Sequence, residues 1–414
     1  GASAGSGGGT QAVFSVTPNL FMTWSWTNQY YLATAAGSNG TLLADVTGWY
    51  TNGVTVQVQA VDGSYQFLQW TGTGVPVGHA TDNPLTLVMD RTRDIKAQFV
   101  AGGGPVSRTW NGVGNWFSAT NWSPVGFPAP GDSVIIASGT NTLSDQVTVT
   151  SFFVASNAAV NFNGTDSVLA ATDVVVTNGG TVTHAVNADS AAPWVMDHRI
   201  SIVCSTLLVS QGGAIHANSK GFRGGLSLNT HGYGPGAGTN ASNVGGGGAY
   251  GARGGTGGQA VNQSPGGLAY GTDVQPEWCG SGGSGGNSQR GGYGGGLIWI
   301  AATNITLFGS IRADGEGTTA FGSQYYYSGG GSGGGINIAC RTLAGSNGVI
   351  SASGGSTYAG TGGNEGGGGS GGRIAIVADA AAQAALSPAP TISLAAREGL
   401  GTYAQDWQGN GRPG

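Results

Sequence analysis

The residues able to do chemistry are few in this chain, and their spacing argues against most of it. The five histidines are His79, His184, His198, His216 and His231. None stands at HExxH or a comparable metal-ligand spacing from another histidine or a carboxylate. His184 and His216 close two matching phrases, Thr-Val-Thr-His184 and Gly-Ala-Ile-His216. They are therefore expected to stack on one exposed face, with a metal pair as the alternative reading. Asp197-His198-Arg199 has the composition of a catalytic cluster, but neighbours in a strand point to opposite faces, so a solvated turn is expected. Glycine-rich loops invite a phosphate-cradle reading, yet no Gly-Lys-Ser/Thr ending or following helix accompanies them. Depolymerising chemistry on polysaccharides needs convergent carboxylates. The 19 acidic residues are scattered, with only Asp314 and Glu316 close together in the repeats. No catalytic, metal or cofactor-binding residue is assigned, and neither an enzyme nor a cofactor is expected.

Three cysteines, Cys204, Cys279 and Cys340, are too few for a disulfide scaffold. One bridge with a free thiol and three buried thiols are both open, and small apolar core residues are the expected role. Charged residues make up 8% of the chain and the formal net charge is −5, against about 25% charged in ordinary domains. That balance gives no electrostatic case for nucleic acid or an anionic membrane. No apolar run approaches the ~18 residues of a spanning helix. The chain begins at Gly1 without methionine or signal peptide, which predicts a processed form or a fragment of a longer product.

The element around which the chain is organised is its glycine-rich half, 221–372. Of 414 residues, 83 are glycine, far above the roughly 7% of ordinary proteins. Runs such as Gly245–Gly248, Gly294–Gly296, Gly329–Gly331 and Gly366–Gly369 alternate with Leu297-Ile-Trp-Ile-Ala301, Ile336-Asn-Ile-Ala339 and Arg373-Ile-Ala-Ile-Val377. Ile298, Ile336 and Ile374 follow one another at 38-residue intervals. A fixed period of that size means stacked structural units. Earlier in the chain, Val182 and Ile215 occupy corresponding places 33 residues apart. Short strands without helical periodicity between them, each with a corner glycine, predict a parallel β-helix. The glycine runs are expected to be insertions on one side of it, packed as threefold extended helices of the polyglycine-II type. Loops pinned by Tyr250, Tyr270, Trp278 and Tyr325–Tyr327 are the alternative.

Residues 11–100 differ in composition, being rich in aromatic and β-branched residues in strand-length runs. The order Gly48-Trp-Tyr, Gly53-Val-Thr-Val, Tyr65-Gln-Phe-Leu-Gln-Trp-Thr-Gly, Pro84-Leu-Thr-Leu and Ile95-Lys-Ala-Gln-Phe resembles the divergent internalin-type B-repeat, over roughly residues 30–100. The resemblance implies a small β-rich, non-enzymatic module of bacterial surface proteins, an extracellular spacer and interaction unit. Trp49, Tyr65, Phe67 and Trp70 are expected in its core. Next, Thr109-Trp-Asn-Gly-Val-Gly-Asn-Trp-Phe and Asn121-Trp, followed by Gly131-Asp-Ser-Val-Ile-Ile, look like the opening motif of autotransporter-type β-helix surface proteins. Trp110, Trp116, Phe117 and Trp122 are expected to cover the first rung, whose open edge would otherwise pair with other chains. The phrases of 221–378 resemble uncharacterised glycine-rich β-helix proteins of environmental bacteria. Asp379–Leu386 is expected to form a short helix, capped by Asp379 and ended before Pro388.

The fold expected is all-β: a small β-rich module followed by a right-handed parallel β-helix with glycine-rich insertions. Its divisions are a Gly/Ser arm at 1–10, the module at 11–100, a linker at 101–106, the β-helix at 107–390 and a glycine-rich tail at 391–414. The expected role is that of an extracellular, cell-surface structural protein that self-associates into a filament through its termini and the ends of its β-helix. Assembly candidates are Gly1, Gly7, Val13, Phe14, Val16, Tyr403 and Trp407. A rival reading is an adhesin that binds a glycan or receptor through Trp278, Tyr325, Tyr326 and Tyr327 on exposed loop tips. A β-helix enzyme acting on polysaccharides is the third.

Overall fold

Alternation of β-branched and polar residues gives the chain its strands, and glycine decides where they stop. The computed structural model describes residues 27–38, 40–62, 65–101, 105–226, 230–241, 244–258, 263–272, 274–286, 289–318, 327–357 and 365–401. Almost all regular structure in them is β. No helix of the described residues is long and apolar enough to cross a membrane.

The first unit holds β1 (Gln29–Ala36), β2 (Gly40–Leu42), β3 (Gly48–Thr51), β4 (Thr55–Val58), β5 (Ala60–Asp62), β6 (Tyr65–Thr73), β7 (Leu85–Val88) and β8 (Arg93–Ala101). Four of them form a sheet in the order β3-β1-β8-β6, while β2 pairs with β5 and β4 with β7. The two-residue period of β4 and β7 buries Val58, Leu85 and Leu87 against Leu32, Trp70, Met89 and Ile95. Trp70 is the anchor: its ring is buried and its Nε1 donates to Asp82 O at 2.7 Å. Trp49 departs from expectation. It lies across from Tyr31 on an edge strand, ring centroids 5.3 Å apart, and is 66% exposed.

The second unit opens with β9 (Ser107–Asn115) and β10 (Trp122–Ser123), then the long β11 (Ser133–Leu143). From β11 two parallel ladders grow. One contains β12 (Gln146–Val154), β14 (Val168–Val176), β16 (Ile200–Val209), β20 (Leu297–Leu307), β22 (Gly335–Ala344) and β24 (Arg373–Val377). The other contains β13 (Ala158–Phe162), β15 (Thr181–His184), β17 (Ala214–His216), β21 (Ser310–Arg312), β23 (Ser346–Ser351) and β25 (Thr391–Ala395). With β9 and β10 they make one sheet of 15 strands. The chain visits the two ladders in strict alternation. Ile298 pairs with Ile336 and Ile336 with Ile374, so the 38-residue period is the pairing register itself. Val182 likewise pairs with Ile215.

Inward residues stack into columns, such as Val160, Val182, Ile215, Ile311 and Ile350, all buried. At the β11 end Trp110, Trp116 and Trp122 close this core, each ring 5.0 Å from its neighbour, and Trp116 lies over Phe152. All three are buried, while Phe117, expected beside them, is partly buried against the same core. At the other end, α1 (Ala380–Ala384) is capped by Asp379, whose Oδ1 accepts from Ala382 N at 2.8 Å. Its Gln383 amide donates to Leu343 O and accepts from Leu343 N, replacing a missing strand neighbour. The sheet continues through β25, past residue 390.

The long connections all leave from one corner. They run from a second-ladder strand to the next first-ladder strand: β17 to β20, β21 to β22 and β23 to β24. Among the described residues of the β17–β20 connection the strands are the two-residue β18 (Asn240–Ala241) and β19 (Val244–Gly245). The two units are locked together by Gln146, whose Nε2 donates to Val75 O and Pro76 O at 2.8 and 3.1 Å and whose Oε1 accepts from Gly78 N. Asp145 accepts from Gly72 N, Asp166 from Gly74 N, and Gln69 donates to Gln146 O.

Candidate functional site

Because the launching strands are ladder neighbours, the connections start about 4.8 Å apart. Only bare backbone fits at that spacing in two directions, and the glycine runs supply it. Their amides pair from segment to segment. Gly283 N donates to Gly292 O, Gly292 N to Gly329 O, Gly330 N to Gly367 O and Gly367 N to Gly245 O, at 2.9–3.0 Å. Gly248 N donates to Gly330 O, and Gly255 N to Gly368 O. Thus buried amides are satisfied without a sheet. None of these glycines has positive φ, so backbone freedom is not what selects them. Close approach is. A Cβ on Gly331 would lie 2.0 Å from Tyr293 O, one on Gly369 1.9 Å from Gly331 O, and one on Gly247 2.0 Å from Gly368 O. The hydrogen in that position instead points at the carbonyl, the arrangement of a weak Cα–H···O contact.

Serines thread this network. Ser281, Ser332 and Ser370 are fully buried. Ser332 Oγ accepts from Ser281 N at 3.0 Å and Ser370 Oγ from Tyr250 N at 3.0 Å; Ser370 O accepts from Gly333 N. Sequence reading missed them, although Ser332 and Ser370 each stand four residues before a core isoleucine, Ile336 and Ile374. At the border, Tyr250 and Tyr270 pack at 5.0 Å, with Arg373 over the Tyr250 ring at 5.4 Å.

The titratable side chains serve this architecture. His184 does not stack on His216. With Val182 opposite Ile215, His216 falls opposite Thr183, so the two rings take opposite faces. His184 is fully buried; its Nε2 accepts from Leu297 N at 3.2 Å and its Nδ1 donates to Ala185 O at 2.7 Å. Burial pushes its pKa down to about 3, and the neutral ring joins the last glycine, Gly296, to β20. Asp197 is a turn carboxylate accepting from Ala188 N and Asp189 N, while Arg199 lies over the Trp299 ring at 4.4 Å. Asp314 Oδ1 accepts from Ser353 N at 2.7 Å; Glu316 holds Arg290 by two 2.7 Å contacts and accepts from Tyr293 N. The two acids bind different partners. Among the described residues no group of three or more His, Cys, Asp or Glu is placed to hold a metal ion. The cysteines are free, and burial pushes the Cys204 and Cys279 thiols up to about 12.

Of the loop-tip candidates, Trp278 is partly buried, edge-on to Tyr270 at 6.1 Å, and does not stand out from the surface. Tyr327 is also partly buried. Tyr325, Tyr326 and the assembly candidates Gly1, Gly7, Val13, Phe14, Val16, Tyr403 and Trp407 lie outside the described residues.

The most reactive surface in a physical sense is the last rung. β24 and β25 end the two ladders, and among the described residues no strand pairs with their outer edges. Ile336, Ile338 and Ile350 are fully buried, but their counterparts Ile374 and Ile376 are only partly covered, and Leu394 is 58% exposed. Val377 adds an exposed apolar side chain on the same rung. Among the described residues, one end of the core carries buried tryptophans, and the other carries α1 beside isoleucines that are only partly covered.

Comparison with curated proteins and with solved structures finds no match. The B-repeat-like strands do find one: residues 30–103, the first unit, match the family described as the divergent InlB B-repeat domain.

Proposed function

We propose that the chain is an extracellular structural protein, the repeating subunit of a bacterial surface filament. The reading is non-enzymatic. Its two ladders are faces of one right-handed parallel β-helix, and its glycine network is a bundle of polyglycine-II-type helices that stiffens one side. Strict alternation of the chain between ladders supports the first point. The segment-to-segment hydrogen bonds among non-left-handed glycines support the second. The B-repeat domain is consistent with a cell-surface protein.

The observation that carries the filament is the inequality of the two ends. Unpaired edges on β24 and β25, with half-covered isoleucines behind them, invite strand addition. In this reading the segment that covers the edge is the N-terminal stretch Gly1–Val16 of the next subunit, with Val13, Phe14 and Val16, added as a strand or packed as a polyglycine segment. Such a contact is heterologous and propagates. Deleting residues 1–16, or introducing Leu394→Lys, should abolish fibres seen by negative-stain electron microscopy while the monomer stays folded. Unchanged fibres in both variants would refute this mode of assembly.

A further inference from the structure

The junction between the two units encloses a 520 Å³ cleft, within the size range of small-ligand sites. The B-repeat unit contributes Lys96 and Gln98 from β8 and Tyr65 from β6; the tryptophan-cap region contributes Arg108, Phe117 and Phe127. Two cations line it and no carboxylate does, although the chain has 19 acidic against 14 basic residues. The two cations differ. Arg108 is committed: its Nε donates to Asp132 at 2.9 Å and its Nη1 to Pro124 O at 3.0 Å. That pair is nearly buried and makes a rigid wall. Lys96 is exposed, and among the described residues its ammonium carries no ion pair or hydrogen bond. Phe117 and Phe127 meet edge to face at 5.1 Å, leaving partly exposed rings along the same cleft. The contacts made by Asp145, Gln146 and Asp166 hold the walls in register, so the site is formed before any ligand arrives.

We infer that this cleft binds an acidic sugar, its carboxylate on Lys96 and its ring against Phe117 and Phe127. An ammonium without a partner among the described residues, lining the same cleft as two aromatic rings, suits an acidic sugar, and Ser38 and the Gln98 carbonyl suit its hydroxyl groups, the Gln98 Nε2 being held by Thr71. The inference is independent of filament formation, since none of these residues lies on the last rung. Isothermal titration calorimetry of the intact chain with trigalacturonate, neutral galactotriose and benzoate tests it. Trigalacturonate should bind, with an affinity that falls as salt rises, and the other two should not. Lys96→Gln should weaken it about tenfold, the loss of one charged hydrogen bond. Phe127→Leu should weaken it while leaving the thermal unfolding midpoint near that of the parent. Silence from trigalacturonate, equal binding of galactotriose, a preference for benzoate, or an unaffected Lys96→Gln variant would each overturn the assignment.

Discussion

At Gly369 the fold turns on the absence of a single carbon. A methyl group there would press into Gly331 O at 1.9 Å, and backbone on both sides cannot yield. Gly369→Ala is expected to cost at least about 1–3 kcal/mol, the range for overpacking. Gly48→Ala, whose Cβ meets nothing nearer than 4.0 Å, should stay within about 0.5 kcal/mol. Urea unfolding of both variants measures the difference; equal costs would mean that close packing is not why glycine is there. His184 gives a second test at this scale. An unfolded histidine takes up its proton near pH 6.5, but the folded His184 only near 3. Between those values the unfolded chain binds the extra proton, so stability is complete above about pH 6.5 and declines as pH falls. The slope is about 1.4 kcal/mol per pH unit for one such group. His198 and His216 are also lowered by burial and act with the same sign. Unfolding free energies that are flat from pH 7.5 to 5 would contradict the neutral, buried assignment.

Strands and caps are judged by what their neighbours lose. Ile338 is sealed on both sides by rungs, whereas Ile376 is only partly covered. Ile338→Ala should cost about 2–5 kcal/mol and Ile376→Ala clearly less, as measured by thermal or chemical unfolding. Gln383→Ala leaves both backbone groups of Leu343 unpaired; a loss of about 1–3 kcal/mol is expected, with faster amide exchange at Leu343. The rungs were legible because each isoleucine phrase follows a glycine run, which fixes a starting point to count from. The histidine face was misread for the same reason in reverse: the phrases were aligned by their last residue, while the core position, Val182 against Ile215, sets the register. Partners within the glycine network were illegible. A glycine carries no side chain to mark which neighbour it meets, and only the serines interrupt that uniformity. Residue type alone puts Trp49 in the core, but β3 is an edge strand and Trp49, against Tyr31, is 66% exposed.

For the whole molecule, two features set the behaviour: hydrogen bonds join the B-repeat unit to the second unit, and among the described residues no strand pairs with the outer edges of β24 and β25. Gln146→Ala removes the three side-chain hydrogen bonds to Val75 O, Pro76 O and Gly78 N across the junction, while the Gln69 bond to the Gln146 backbone carbonyl remains. It should loosen the units without unfolding either, seen as faster proteolysis between Ala101 and Pro105. The open rung carries the larger consequence, because apolar columns that end at Leu394 gain by meeting another chain. The most direct measurement is sedimentation velocity and negative-stain imaging of the intact chain over a wide concentration range. The account predicts concentration-dependent growth into unbranched fibres of constant width. Monomers alone at the highest concentration would contradict it.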